Sequence, residues 1–105
     1  MYLLVKELMP ENTVLREASP PWLRRMRLDV YVPELRLAFE HQGQQHFEAV
    51  PIFGGEDALR RTQERDDYKR RLCVENGVRV VDVRYDDPLS LKWLRRRIDH
   101  ALKIQ

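Results

Sequence analysis

Cysteine and long apolar runs are nearly absent from this sequence. Of 105 residues only Cys73 is a cysteine, which excludes a disulfide within the chain and argues against a zinc site built from cysteines. Cys73 is better explained as a small core residue than as a nucleophile. No stretch approaches the roughly 20 apolar residues that span a bilayer, and Lys6 and Glu7 interrupt the apolar start too early for a secretory leader. We therefore expect a cytoplasmic, intracellular protein without a membrane partner.

The length of the chain suits one small domain. A sequence of 105 residues has room for a single hydrophobic core, and neither internal repeats nor low-complexity segments interrupt it. Residues 1–105 are therefore predicted to form one domain. The first helical pattern begins abruptly at Tyr2, which suggests either a domain excised from a longer protein or a truncated start.

Arginine dominates the basic residues. The formal charge is only +2, but 15 of the 19 basic residues are arginines, whose planar guanidinium suits phosphate oxygens. Each arginine cluster alone is most simply a solvated helix face interleaved with acids. Around a site with catalytic acids, the same clusters indicate contacts to a nucleic-acid backbone. The candidates for such contacts are Arg25, Arg27, Arg60, Arg61 and Arg65.

The strongest functional signal is a predicted hairpin. Two runs with alternating apolar residues flank Pro33, a pattern typical of two antiparallel strands and a tight turn. Any even-numbered turn, including a two-residue turn that sets Val32 opposite Leu35, places Asp29 and Glu40 on the same face of the sheet. As diagonal neighbours about 7–8 Å apart at the backbone, these two carboxylates can converge on one hard cation that prefers oxygen ligands.

With Asp29 as the first acid and Glu40-x-Gln42 as the second half-motif, this hairpin resembles the PD-(D/E)xK, or restriction-endonuclease-like, nuclease superfamily. Gln42 stands where the usual motif has lysine, and the proline that normally precedes the first acid is absent. His46 and Asp66 follow, which is similar to the branch that contains very-short-patch repair endonucleases and EDxHD homing endonucleases. The resemblance covers most of the chain.

The resemblance implies a metal-dependent endodeoxyribonuclease that hydrolyses DNA phosphodiester bonds with Mg²⁺, or with Mn²⁺ as a substitute, in a bacterial or phage-like system. It implies a metal site formed by Asp29, Glu40 and the backbone carbonyl of His41. A homodimer or a neighbouring domain would supply DNA specificity. Because glutamine can neither carry positive charge nor shuttle a proton, Gln42 also fits another interpretation, a catalytically inactive DNA-binding or protein-interaction module that keeps the nuclease fold.

The long helix predicted over residues 56–76 carries a second signal. Five residues at helical spacing form one stripe: Leu59, Thr62, Asp66, Lys69 and Cys73. The apolar ends of this stripe indicate that it faces the sheet, yet its middle is charged. Asp66 and Lys69 are either an ion pair at the edge of the core or members of the site, where Lys69 supplies the positive charge that Gln42 lacks.

Two further candidates compete with simpler explanations. His46 follows the hairpin closely enough to turn over its acidic face, where a neutral imidazole can accept a proton from water and Asp66 can hold it or a second ion. The simpler explanation is a loop residue. Glu7 is either an acid that the first helix contributes, as in some superfamily members, or an exposed charge. In the nuclease interpretation the catalytic residues are Asp29, Glu40, Gln42, His46, Asp66 and Lys69.

The predicted elements follow the order helix, three strands, helix, strand, helix. The boundaries are a helix at 2–9, strands at 13–17, 27–32 and 35–42, a helix at 56–76, a strand at 78–84 and a helix from 88 to about 103. A right-handed crossover should make the third and fourth strands parallel. This order predicts an α/β fold with a short mixed sheet flanked by helices, and the resemblance extends it to a restriction-endonuclease-like αβββαβ core.

Overall fold

Within the residues that the structure describes, three helices and four strands follow one another in the predicted order. The structure is a computed structural model, which describes residues 1–44, 47–48 and 54–103. Its elements are α1 (Tyr2–Leu8), β1 (Leu15–Ala18), β2 (Leu28–Val32), β3 (Leu37–Gln42), α2 (Gly55–Glu75), β4 (Arg79–Arg84) and α3 (Leu91–Lys103). The coarse α/β class is confirmed.

The strands of these described ranges form one mixed sheet in the order β1-β2-β3-β4. The pairs β1–β2 and β2–β3 are antiparallel, whereas β3 and β4 are parallel. The parallel pair is separated by α2 because parallel neighbours need a long crossover connection. Both the mixed sheet and the parallel orientation of β3 and β4 are therefore confirmed.

Alternation of side chains gives the two faces of the sheet different partners. One core, between the sheet and the α1 and α3 helices, contains Val5, Met9, Val30, Val32, Leu37, Phe39, Val81, Val83, Leu94 and Ile98. The other core, under α2, contains Leu23, Leu28, Ala38, Leu72, Cys73 and Val78. Since Glu40 shares the parity of Ala38 along β3, Glu40 belongs to the face that α2 covers.

The turn between β2 and β3 is longer than the two-residue turn that the sequence suggests. Pro33 opens a 3-10 turn, which its fixed φ favours, and the Arg36 N–H donates to the Pro33 carbonyl at 3.1 Å. Val32 therefore pairs with Leu37, and the predicted pairing with Leu35 is wrong. Because the number of turn residues is still even, the side chains of β3 keep the predicted face.

The sheet-facing stripe of α2 is confirmed by its burial. Leu59, Thr62, Asp66 and Lys69 are half-buried, and Cys73 is buried. Cys73 belongs to the core under α2, and burial raises the pKa of its thiol, which supports the core role predicted for it. None of the helices in the described part of the chain is long and apolar enough to cross a membrane.

The final helix starts later than predicted. The sequence predicts a start at Pro88, but α3 begins at Leu91. The reason is local capping: the Ser90 hydroxyl accepts a hydrogen bond from the Trp93 N–H at 3.2 Å, which makes Ser90 the N-terminal cap. Pro88 lies in the connection that precedes this cap.

Candidate functional site

Asp29 and Glu40 lie on neighbouring strands, and the carboxylate of each accepts a hydrogen bond from a backbone N–H of the opposite strand. The β2–β3 register, continued by one residue, sets them directly opposite, whereas the shorter turn would have made them diagonal neighbours. The Asp29 N–H donates to Glu40 Oε2 at 2.8 Å, and the His41 N–H donates to Asp29 Oδ2 at 2.7 Å. Backbone donors favour ionised carboxylates, so these bonds offset the mutual repulsion of the two acids.

Lys69 brings a positive charge to the same place. From the middle of α2 its ammonium forms an ion pair with Glu40 Oε1, and the side chains of Lys69 and Glu40 are only 19% and 9% exposed. The structure therefore joins Lys69 to the hairpin acids, as the stripe on α2 allows. Lys69 supplies a cation to a site in which Gln42 carries none.

Burial changes the protonation behaviour of Glu40. Desolvation raises the pKa of this carboxyl above its ordinary value, and the nearby charge of Asp29 acts in the same direction. Hydrogen bonds from Lys69 and from the Asp29 N–H oppose that rise. Glu40 thus holds its proton more tightly in the folded chain than in the unfolded chain.

We expect this raised pKa of Glu40 to make the stability of the protein depend on pH. A carboxyl whose pKa is raised by folding contributes stability that is complete below its unfolded pKa, near the ordinary value of 4.5, and that is lost as pH rises through the folded pKa. Glu40→Gln removes this titration. Relative to the parent, the variant should therefore gain unfolding free energy as pH rises through that window, measured by urea denaturation in EDTA.

The control for this experiment is Glu64→Gln, which makes the same change of charge at an exposed position of α2. It separates the effect of burial at Glu40 from the effect of net charge. A difference between Glu40→Gln and the parent that stays constant across the pH range would contradict the assigned shift.

An open cleft of about 440 Å³ surrounds the acids. Its walls combine acidic, basic and polar groups from the hairpin and from α2, and among its lining residues are Arg25, Arg27, Asp29, Glu40, His41, Gln42, Thr62, Arg65, Asp66 and Lys69. Arg25, Arg27 and Arg65 are exposed, so their guanidinium groups are accessible to a ligand in the cleft. Acids beside accessible arginines match a ligand that combines phosphate groups with a cation.

Two predicted DNA-binding residues lie elsewhere. Arg60 and Arg61 are exposed on α2 beyond this cleft, and Arg60 forms an ion pair with Asp57. Neither of them is among the residues that line the cleft.

Asp82 is a site residue that the sequence interpretation missed. It lies on β4 in register with Glu40, and it accepts a hydrogen bond from Gln42 Nε2 at 3.2 Å. Its other oxygen pairs with Arg70 Nη1 at 2.7 Å. One sequence signal could have identified Asp82. It is the only carboxylate within the apolar run of β4, and the alternation of side chains along the strand directs it toward α2.

Four predicted residues remain, and each has a different outcome. Asp66 is half-buried and lines the cleft. His41 contributes its backbone N–H to Asp29, while its residue as a whole is exposed. Glu7 is exposed on α1, which packs on the opposite face of the sheet, so the structure does not bring Glu7 to the cleft. His46 lies outside the described residues.

The donor set suits one kind of metal site. Among the described residues, no group of three histidine, cysteine or acidic side chains is arranged to hold a metal ion. Mg²⁺, however, commonly keeps several waters and binds to one or two carboxylates together with substrate phosphates. The opposed Asp29 and Glu40 carboxylates fit a site of that type, since each oxygen that already accepts an N–H retains a second lone pair.

Three viral proteins are similar in sequence to parts of this chain. The uncharacterized protein 094L of Frog virus 3 (isolate Goorha) is 42% identical over 69 residues, 64% of this chain and 44% of that protein. The uncharacterized protein 307L of Invertebrate iridescent virus 6 is 39% identical over 61 residues, 57% of this chain and 31% of that protein. The uncharacterized protein 033L of Invertebrate iridescent virus 3 is 35% identical over 81 residues, 70% of this chain and 42% of that protein.

No family model matches this chain, and no solved structure matches it. The chain spans less than half the length of each of these three viral relatives. The activity, substrates and partners of the whole protein are therefore proposals.

Proposed function

We propose that this chain is a metal-dependent endodeoxyribonuclease domain that hydrolyses DNA phosphodiester bonds. The observation that carries the proposal is the convergence of Asp29, Glu40 and Lys69 in one arginine-lined cleft. Two acids and one cation on rigid elements are what phosphodiester hydrolysis needs to bind a metal ion and to stabilise charge on the phosphate. The resemblance to the PD-(D/E)xK superfamily supports the same assignment.

Asp29, Glu40 and the backbone carbonyl of His41 would hold Mg²⁺, with Mn²⁺ as a substitute. When bound, such an ion polarises a phosphate oxygen and lowers the pKa of water. The cross-strand hydrogen bonds of Asp29 and Glu40 hold both carboxylates in place before a ligand arrives. This preorganisation reduces the cost of assembling the site around the substrate.

Lys69 takes the electrostatic role that lysine has in the usual motif. An ammonium group has three donors, and one of them is used by Glu40 in the structure. The others can bind an oxygen of the scissile phosphate, because Lys69 lines the same cleft as Asp29. Fixed positive charge aimed at the phosphate stabilises the transition state more than the ground state.

The other polar groups are assigned to water and proton handling. Gln42 would orient water or phosphate by hydrogen bonds, and His46 or Lys69 would assist proton transfer. Asp66, which lines the cleft, would hold His46 or a second ion. The role of His46 remains a prediction from the sequence, since His46 is not among the described residues.

DNA is the proposed partner, held through its backbone. The exposed guanidinium groups of Arg25, Arg27 and Arg65 line the cleft, where they would bind phosphates on either side of the scissile bond. Such backbone binding carries no sequence information. A second copy of the chain or a neighbouring domain would therefore supply any DNA specificity.

The arginines of the cleft lead to a salt-dependent prediction. Affinity for duplex DNA should fall steeply as salt rises, and Arg27→Ala with Arg65→Ala should weaken binding uniformly across DNA sequences. The slope of log K against log salt should become shallower by about 1 for each phosphate that the variant no longer binds. Replacing Arg60 and Arg61 should act in the same direction but less, since Arg60 is already ion-paired. Fluorescence anisotropy in EDTA measures both quantities.

The matched control for this prediction is Arg95→Ala with Arg96→Ala on α3. These arginines are exposed on the helix that covers the other face of the sheet, so the double variant removes the same charge away from the cleft. Equal reductions of affinity in the two double variants would show that the cleft is not the DNA-binding site. Affinity that does not depend on salt would favour a protein partner instead.

The alternative function is a catalytically inactive DNA-binding or protein-interaction module. The observation that favours it is the Lys69–Glu40 ion pair itself, because a partly buried pair can stabilise a fold without any catalytic role. The two functions differ in cleavage of DNA with Mg²⁺ or Mn²⁺ and in its loss with EDTA. A module of the second kind binds DNA or protein and leaves DNA intact.

A further inference from the structure

The orientation of the Gln42 side chain is fixed by its neighbour. Gln42 is only 7% exposed, and its amide nitrogen lies 3.2 Å from Asp82 Oδ1. An ionised carboxylate only accepts hydrogen bonds, so the NH₂ end of the amide must face Asp82. Arg70 donates to the other oxygen of Asp82 at 2.7 Å, which holds that carboxylate in place. The carbonyl end of Gln42 therefore faces away from Asp82.

Gln42 also lines a small cavity, whose walls combine apolar side chains with charged and polar ones. Gln42 Oε1 is buried and has no hydrogen-bond donor among the described residues. The cavity measures about 10 Å³, and Gln42, Glu40, Lys69 and Asp82 are among its lining residues. A buried carbonyl without a partner is costly. A cavity of roughly 10–15 Å³ with two or more polar partners accommodates one water molecule.

We propose that this cavity is a site for one ordered water molecule, and that Asp82 is a positioning residue that maintains it by orienting Gln42. The water donates a hydrogen bond to Gln42 Oε1 and accepts one from the Lys69 ammonium, whose side chain lines the same cavity. Glu40 provides a further acceptor beside it. Four groups from β3, β4 and α2 thus form one continuous polar network.

The water site has a consequence that rests on the proposed nuclease function. The structure pairs the Lys69 ammonium with Glu40, and a water-mediated bond to Gln42 would add a second interaction and fix the direction of the ammonium. Asp82 would then influence phosphate chemistry without touching the substrate. Partners that orient metal ligands typically change activity by about 10- to 100-fold when they are replaced, and we expect an effect of the same size for the partner that orients Lys69.

The test compares two isosteric replacements of Asp82 in the intact chain. Asp82→Asn retains an acceptor for the Gln42 amide, whereas Asp82→Leu has a similar shape and no acceptor. Gln42→Met removes the carbonyl oxygen itself. High-resolution crystal structures of the parent and the three variants report the water, and NMR signals of the Lys69 ammonium report its hydrogen bonding. Steady-state DNA cleavage reports kcat and KM.

The expected result is a water within hydrogen-bond distance of Gln42 Oε1 in the parent and in Asp82→Asn, and its loss in Asp82→Leu and Gln42→Met. The Lys69 ammonium signal should be broadened or lost in the same two variants. Their kcat should fall about 10- to 100-fold with little change in KM, and Asp82→Asn should recover part of that activity.

Two outcomes overturn the proposal: a parent structure without water at Gln42 Oε1, or an unchanged water and Lys69 signal in Asp82→Leu. The test of the water site can be distinguished from the test of the nuclease assignment. A parent that cuts no DNA but shows the water and its loss in Asp82→Leu keeps the water site and rejects the nuclease. A parent that cuts DNA but shows no water at this position keeps the nuclease assignment and rejects the water site.

Discussion

Asp29→Asn and Glu40→Gln should each abolish DNA cleavage while leaving DNA binding as tight as in the parent or tighter. Each replacement removes one of the two carboxylate charges that would hold Mg²⁺. A metal ion contributes several kcal/mol to the transition state, so the rate should fall by about 10³-fold or more. Binding should not fall, because a negative charge that faces phosphate has been removed. Plasmid cleavage and anisotropy in EDTA measure the two effects.

Asp99→Asn is the control for this pair. Asp99 is exposed on α3, on the side of the sheet away from the cleft, and its replacement makes the same change of net charge. The variant should cut DNA as the parent does. Cleavage at the parental rate by Asp29→Asn or Glu40→Gln would show that the opposed carboxylates do not form the metal site.

Lys69→Ala should reduce the cleavage rate about 10²- to 10³-fold, the usual cost of removing one preorganised charge-stabilising group. The double variant with Lys69→Ala and Gln42→Lys should cut DNA faster than Lys69→Ala alone. The reason is that the site needs one cation near the phosphate, and Gln42 lies two residues from Glu40 with the same strand parity. Single-turnover kinetics at saturating metal compare the three proteins directly.

Stability has to be measured alongside, because Lys69→Ala leaves the buried Glu40 carboxylate without its ion partner. Lys92→Ala, a matched loss of one exposed lysine on α3, serves as the control for net charge. If His46 is instead the essential proton-transfer group, His46→Ala is inactive, Lys69→Ala is mild, and the parental rate rises through the pKa range of histidine. That outcome would contradict the role assigned to Lys69.

The features that sequence predicts best depend on local periodicity. The stripe on α2 from Leu59 to Cys73 follows from i,i+3 and i,i+4 spacing alone, and it correctly places Lys69 toward the sheet. Asp29 and Glu40 share a face of the sheet whenever the turn between their strands has an even number of residues. Turns of two and four residues are both even and both accept Pro33, so parity is predictable although the register is not.

The features that sequence misses depend on long-range pairing. Asp82 comes into register with Glu40 only when β3 and β4 align as parallel neighbours, and the connection between them contains the whole of α2. Its partner Arg70 belongs to a basic cluster in the sequence, and nothing in that cluster indicates that Arg70 turns toward the sheet. Spacing predicts which face of β4 carries Asp82, but it does not predict that Asp82 aligns with Glu40, because the offset between parallel strands depends on long-range packing.

Incubation of the parent protein with supercoiled DNA in Mg²⁺, Mn²⁺ or EDTA is the most direct test of the nuclease assignment. Linear and branched DNA in the same buffers extend the test to other substrates. If the assignment is correct, supercoiled DNA gives nicked or linear products with either metal ion and stays intact in EDTA. Intact DNA of all three kinds in both metal ions would contradict it, and salt-dependent binding to that DNA would then identify a binding module.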